Sequence, residues 1–143
     1  MQQKLTGGCL CGAVRYEYDG EVGAAGYCHC ADCRRVSGSA FGVSVRVETA
    51  GFRLTQGTPK AFTKPGDSGR LVTRYFCSDC GSPLFTAPPL HPTVYFIKAG
   101  SLDDAAVVKP NRQAWVRSRV DWAEIAPSIA SYAIPRAPCR ERV

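Results

Sequence analysis

What the chain lacks narrows its function before any motif is read. No apolar run approaches the ~20 residues that a bilayer-crossing helix needs, which excludes a helical membrane-spanning protein. Met1-Gln2-Gln3-Lys4-Leu5-Thr6 carries no apolar segment, so no signal peptide is expected, and the expected compartment is the cytoplasm, where thiols stay reduced. There is no internal repeat beyond the cysteine pairs and no low-complexity stretch. The chain also has no Ser-His-Asp set, no nucleotide-binding glycine loop and no pair of acids with a clear role. Triad hydrolysis and nucleotide-dependent chemistry are therefore poor fits.

Cysteine, by contrast, is clustered. Seven of the eight cysteines fall into Cys9-Leu10-Cys11, Cys28-His29-Cys30-Ala31-Asp32-Cys33 and Cys77-Ser78-Asp79-Cys80. A disulfide framework belongs to small secreted chains, and neighbouring thiols of a C-x-C make poor disulfide partners. Zinc is the better reading. A structural zinc takes four protein ligands, whereas a catalytic zinc takes three and keeps an open position. Two pairs and one triplet supply those numbers, so two zinc ions are expected, one structural and one catalytic and labile.

The two pairs are assigned to the closed site. In Cys77-Ser78-Asp79-Cys80-Gly81 the C-x-x-C curls so that backbone N–H groups point at the sulfurs, and Gly81 suits the left-handed turn that closes such a knuckle. Gly7-Gly8-Cys9-Leu10-Cys11-Gly12 has glycine on both sides, consistent with a tight approach to the same ion. Cys9, Cys11, Cys77 and Cys80 then form a structural site; spacing leaves open an exchange that pairs the knuckle with two of the middle cysteines. Cys28, Cys30 and Cys33 can converge on one ion from a single turn, with the fourth position left to water, a substrate thiol or a remote side chain. In an extended segment His29 leaves the backbone opposite to Cys28 and Cys30, so it is not counted as a ligand. His91 lies between prolines and is expected to be solvated, and Cys139, near a basic end, to be a free thiol.

Fourteen glycines and ten prolines cut the chain into pieces too short for stable helices. Ala13 to Tyr18 and Phe41 to Val47 alternate with period two, as half-buried strands do. Phe52 to Leu54, Leu71 to Phe76 and Val94 to Ile97 extend the series. Ala31 to Val36 has room for one or two helical turns. Trp122, Ile125, Ile129 and Tyr132 have helix-like spacing, although Pro127 and Pro135 limit any helix there. The fold class is all-β with a few short helical turns, mostly antiparallel, in one domain over 1–143 with its core at about 5–125 and a C-terminal extension at 126–143.

Taken together, Gly8-Cys9-Leu10-Cys11-Gly12, Cys28-His29-Cys30 with Cys33-Arg34, and Cys77-Ser78-Asp79-Cys80-Gly81-Ser82-Pro83-Leu84 resemble the glutathione-dependent formaldehyde-activating family, which includes centromere protein V. The resemblance runs from about Gly7 to Trp122, and Ala99-Gly100-Ser101-Leu102-Asp103-Asp104 is similar to a further family stretch. It implies a zinc-bearing β-tent fold, a structural four-thiolate site and a catalytic three-thiolate site. It also implies carbon–sulfur lyase chemistry on S-(hydroxymethyl)glutathione, run toward the adduct of glutathione and formaldehyde. One departure stands out: many members of that family carry a His shortly after the Pro before the last aromatic strand, where this chain reads Pro110-Asn111-Arg112-Gln113-Ala114-Trp115. That places the metal chemistry on firmer ground than glutathione as the thiol.

Zinc favours sulfur, so an incoming thiol can take an open position as a thiolate and attack an aldehyde carbon. Three thiolates leave such a site at a net negative charge and blunt its Lewis acidity. Arg34 and Arg35, directly after the triplet, are candidates to offset that charge or to hold substrate carboxylates; ordinary solvation is their competing role. Eighteen Lys and Arg against twelve Asp and Glu give +6. Seven thiolates with two Zn²⁺ bring the holo-protein to about +3. Without a long basic run, nucleic acid is not the expected partner; a small thiol and an aldehyde are, and a homodimer is compatible with the sequence. The competing class is a non-enzymatic zinc module that binds protein or nucleic acid through its basic face.

Overall fold

The computed structural model describes residues 2–126 and 129–133. These residues form eleven strands and one short helix: β1 (Gln2–Gly8), β2 (Arg15–Glu21), β3 (Ala25–Cys28), α1 (Ala31–Ser37), β4 (Gly42–Glu48), β5 (Phe52–Gln56), β6 (Lys60–Pro65), β7 (Leu71–Phe76), β8 (Pro83–Ala87), β9 (Val94–Lys98), β10 (Arg112–Ala114) and β11 (Ala130–Tyr132). The architecture is the all-β one expected. No helix among the described residues is long and apolar enough to cross a membrane.

The strands make two sheets. A small antiparallel sheet has the order β1-β2-β5, and a large mixed sheet runs β11-β10-β3-β4-β9-β8-β7-β6. The only parallel pairings between named strands join β10 to β3 and β10 to β11. Period-two alternation does what it predicts: Tyr16 and Tyr18 of β2 and Val45 and Val47 of β4 point inward and are buried. An aromatic layer closes the gap between the sheets. Tyr16 stacks on Phe52 with ring centroids 5.3 Å apart, Phe52 meets Phe85 at 4.8 Å, and Phe85 stacks on Tyr75 at 4.5 Å. Such pairs add about 0.5–1.5 kcal/mol each beyond simple burial.

The segment from Ala99 to Asp104 ties the sheets together at the same end as the first cysteines. Leu102 bridges Gly7 of β1, and the Tyr16 hydroxyl meets Ser101 Oγ at 2.6 Å. Arg15 Nη1 donates to Asp103 Oδ1 at 2.9 Å. The helix-like spacing of Trp122, Ile125, Ile129 and Tyr132 yields no helix: Trp122 is exposed, and Ala130–Tyr132 is instead the edge strand β11, hydrogen-bonded to β10. The large sheet thus reaches beyond residue 125. Cys139 lies outside the described residues.

Candidate metal centres

The first cluster forms where three strand ends meet. Cys9 and Cys11 follow β1, and Cys77 follows β7. The knuckle between Cys77 and Gly81 closes by a Gly81 N–H to Cys77 carbonyl bond of 2.8 Å, with Gly81 at φ +76° as its glycine requires. Ser82 locks the two halves together: its hydroxyl accepts from the Leu10 N–H at 3.0 Å and lies 3.2 Å from Cys80 Sγ. Cys9 Sγ and Cys11 Sγ are 3.6 Å apart, and Cys11 Sγ and Cys77 Sγ 3.8 Å. A tetrahedral zinc with Zn–S bonds near 2.3 Å sets its sulfurs about 3.8 Å apart. The Val14 N–H donates to Cys9 Sγ at 3.2 Å, and the Asp79 N–H to Cys77 Sγ at 3.4 Å. Burial is outweighed by the Val14 N–H and the thiols of Cys11 and Cys77, which lower the Cys9 pKa. The Ser82 hydroxyl, with the backbone of Ser82 and Cys11, brings Cys80 down to about 5.

The second cluster is built by the end of β3 and the start of α1. Cys30 is the N-cap of α1, where its sulfur accepts the Cys33 N–H at 3.3 Å. The turn carries Cys33 back beside Cys28. The three Sγ atoms lie within 4.8 Å of one another, as do the four of the first cluster. All three residues are about nine-tenths buried or more. The neighbouring thiols Cys28 and Cys30, together with the Lys98 and Arg74 charges, pull Cys33 well below the ordinary thiol range; Cys30 and Cys33 push Cys28 well above it. At this spacing the charged forms of three thiols repel one another, and a divalent cation resolves that repulsion. Both clusters therefore have the donor set to hold a metal ion, and zinc suits them. The seven thiols are free of disulfides.

His29 belongs to neither cluster. It is fully buried, and its Nε2 lies 2.9 Å from Gln113 Oε1. The Gln113 amide donates in turn to Ser131 Oγ at 2.8 Å, which fixes its oxygen toward the ring and the proton on Nε2. Burial lowers the His29 pKa. His91 sits in a loop outside both clusters. Arg34 spends Nη1 on the carbonyls of His29 at 3.2 Å and Ser118 at 2.9 Å, and Arg35 is exposed.

Each thiol of the triplet borders a cavity. A cleft of 750 Å³ reaches from Cys9 to Cys33, with Phe41, Lys98 and Ser101 on its walls. A cavity of 70 Å³ touches Cys28 and Cys33, and a third, of 110 Å³, lies between Cys30 and Trp115. Neither Arg34 nor Arg35 lines any of them. Trp115 packs on the triplet from a left-handed backbone, φ 58°, which a bulky residue rarely adopts. Sequence reading missed Trp115, Lys98 and Arg74; a strained Trp has no sequence signal, Lys98 sits on a strand far from any cysteine motif, and Arg74 stands three residues before Cys77, a member of the other cluster.

The comparisons agree with this geometry. A protein of Halomonas elongata named "Putative glutathione-dependent formaldehyde-activating enzyme" is 29% identical over 135 residues, covering 85% of this chain and 80% of that protein. A crystal structure of a Rhodobacter sphaeroides protein matches with a TM-score of 0.56 at 21% identity, over 89% of this chain and 98% of that one, a likeness of fold. The family model described as glutathione-dependent formaldehyde-activating enzyme matches residues 4–118, a span that holds both thiol clusters and the segment joining the two sheets. The chain belongs to that family.

Proposed function

We propose that the protein is a zinc enzyme of the cytoplasm that makes or breaks the carbon–sulfur bond between a thiol and an aldehyde, of the S-(hydroxymethyl)glutathione synthase kind. The observation that carries this reading is the difference between the clusters: four thiols close on one another, whereas only three converge in the second, with Cys33 at the wall of a cleft large enough for a tripeptide. Cys9, Cys11, Cys77 and Cys80 would hold a structural ion, and Cys28, Cys30 and Cys33 a catalytic one. Zinc held by the triplet would lower the pKa of an incoming thiol and so supply a thiolate nucleophile at neutral pH.

The chain's own residues do the rest. Lys98 and Arg74 stand close enough to Cys33 to offset the negative charge of three thiolates. Trp115 and Ala114 pack on the triplet from one side. Phe41 and Val43 give the 750 Å³ cleft an apolar wall, along which a thiol's carbon chain can lie. In the synthetic direction the sulfur bonds to the aldehyde carbon, the C=O π pair moves to oxygen, and that oxygen takes up one proton. The product therefore carries the proton the thiol gave up.

Cobalt substituted into the triplet would report the thiol directly. Addition of glutathione should change the sulfur-to-metal absorption, and formaldehyde should then give adduct faster than the unaided reaction, an excess that vanishes in Cys30→Ser. Should no thiol alter the spectrum while the protein binds DNA or RNA with a steep salt dependence, the enzyme reading is wrong and the zinc-module reading takes its place.

A further inference from the structure

The 70 Å³ cavity behind the triplet is cationic, and nothing in the reading above uses it as a binding site. Its polar walls are Arg74, Lys98, Arg112, Ser44 and Thr86, with Cys28 and Cys33 at its end. Register explains the grouping. Arg74 pairs with Thr86 and Thr86 with Phe96; two residues along β9, Lys98 pairs with Ser44, Ser44 with Gly26, and Gly26 with Arg112. Partners across a ladder and residues two apart along a strand share one face of a sheet. Cys28 is two residues from Gly26, so it stands on that same face. Gly26 matters for its missing side chain: a Cβ there would lie 2.7 Å from Arg112 Cγ. The glycine lets the Arg112 stem lie across β3.

Charge and hydrogen bonding at this face are unbalanced. Three cations line the cavity, and no carboxylate does. Arg74 is only 6% exposed, and the acid nearest it, Asp32, is 3.9 Å away and bound more closely by Lys64, at 3.0 Å. Three thiolates with one divalent cation amount to a single negative charge, which leaves a positive surplus. Thr86 Oγ1 and Arg112 Nε are both buried without a hydrogen-bond partner among the described residues, and Thr86 is only 3% exposed. Buried cations and buried orphan donors are costly unless an anion meets them. The volume is about that of two waters, enough for a carboxylate and too small for a whole tripeptide.

We propose that this cavity is a carboxylate subsite, so that the substrate is a thiol bearing a carboxylate within a few bonds of its sulfur. This rests on the thiol-binding reading of the triplet and adds the substrate class. The carboxylate sits among Arg112, Lys98, Arg74 and Thr86, the sulfur meets Cys28 and Cys33, and the remainder of a larger thiol lies in the 750 Å³ cleft, which shares Lys98 and Cys33 with the cavity.

The test is calorimetric titration of the zinc-reconstituted protein with 3-mercaptopropionate, 2-mercaptoethanol and butyrate. The carboxylated thiol should bind at least about tenfold tighter than the neutral one. Arg112→Gln should remove most of that preference while leaving 2-mercaptoethanol unchanged; this half-buried position avoids the folding risk of Arg74. Equal binding of the two thiols, or equal weakening of both by the substitution, overturns the subsite and leaves the thiol reading standing. Butyrate binding that depends on Arg112, with no response to either thiol, supports the anion site and refutes the thiol reading. Failure of all three ligands to bind refutes both.

Discussion

Cys77→Ser should unfold this protein far more readily than Cys30→Ser, and the structure sets the size of the difference. An ion held by Cys9, Cys11, Cys77 and Cys80 cross-links positions 66 residues apart and joins the small sheet to the large one. On the chain-entropy relation for a cross-link, closing a loop of that length restricts the unfolded chain by about 4 kcal/mol. The triplet spans only Cys28 to Cys33, all within β3 and the first turn of α1, and the same relation gives about 2 kcal/mol. For a domain of this size those losses correspond to falls in Tm of roughly 15 °C and 7 °C. Cys77 is also 1% exposed, so a hydroxyl in its place keeps no solvent contact in exchange. Scanning calorimetry of the two zinc-reconstituted variants against wild type measures both falls. Equal falls, or a larger one for Cys30→Ser, would refute the assignment of the structural ion to the two pairs.

Mild chelation should remove one equivalent of zinc well before the second, with Cys28, Cys30 and Cys33 becoming reactive to a thiol reagent first; simultaneous release would contradict an open site. Gly81→Ala should cost roughly 1–2 kcal/mol in denaturant unfolding, because its Cβ meets nothing within 4 Å and only the positive φ is penalised. Thr86→Val should raise stability by about 1 kcal/mol by removing a buried orphan hydroxyl, yet weaken 3-mercaptopropionate, whereas a loss of stability would mean that the hydroxyl is already satisfied. The Arg15 guanidinium and the Thr6 hydroxyl hold Asp103 down to about 2. Its contribution to stability is therefore full above the ordinary carboxylate value near 4 and is lost as pH falls from about 4 toward about 2. Because the pair is partly exposed, Asp103→Asn should cost less than about 1 kcal/mol at pH 7, and the difference from wild type should close by pH 2.

Where one face of a strand is buried, its sequence announces it. The alternations at Ala13 to Tyr18 and Phe41 to Val47 became β2 and β4, and Leu71 to Phe76 is β7 to the residue. β6 gave no such signal, since all six of its residues are exposed and no apolar face marks it. β10 and β11 are three residues long and owe their place to parallel pairing with distant partners, which local periodicity cannot encode. The spacing of Trp122, Ile125, Ile129 and Tyr132, which two prolines already made a weak helix signal, is set among the described residues by turns and a short edge strand instead.

The thiol clusters were legible for the opposite reason. Metal ligands come in short local pairs because one turn of backbone can aim two sulfurs at one ion, so C-x-C, C-x-x-C and the triplet survive as sequence motifs. Substrate recognition has no such local grammar. Reading outward from the triplet led to Arg34 and Arg35, its sequence neighbours, and in the fold one is tied to backbone carbonyls and the other faces solvent. The cations beside the thiols come from β7, β9 and β10, brought together by a register that runs through six strands. Arg112 stands in the stretch where the family resemblance leads one to look for a histidine, and its neighbour Gln113 is turned inward onto His29. That segment alternates like any strand, so a residue at 112 faces the cavity and one at 113 cannot. The departure from the family pattern therefore falls on a strand that supplies a guanidinium to the cavity, and a carboxylate is the group a guanidinium is best shaped to bind.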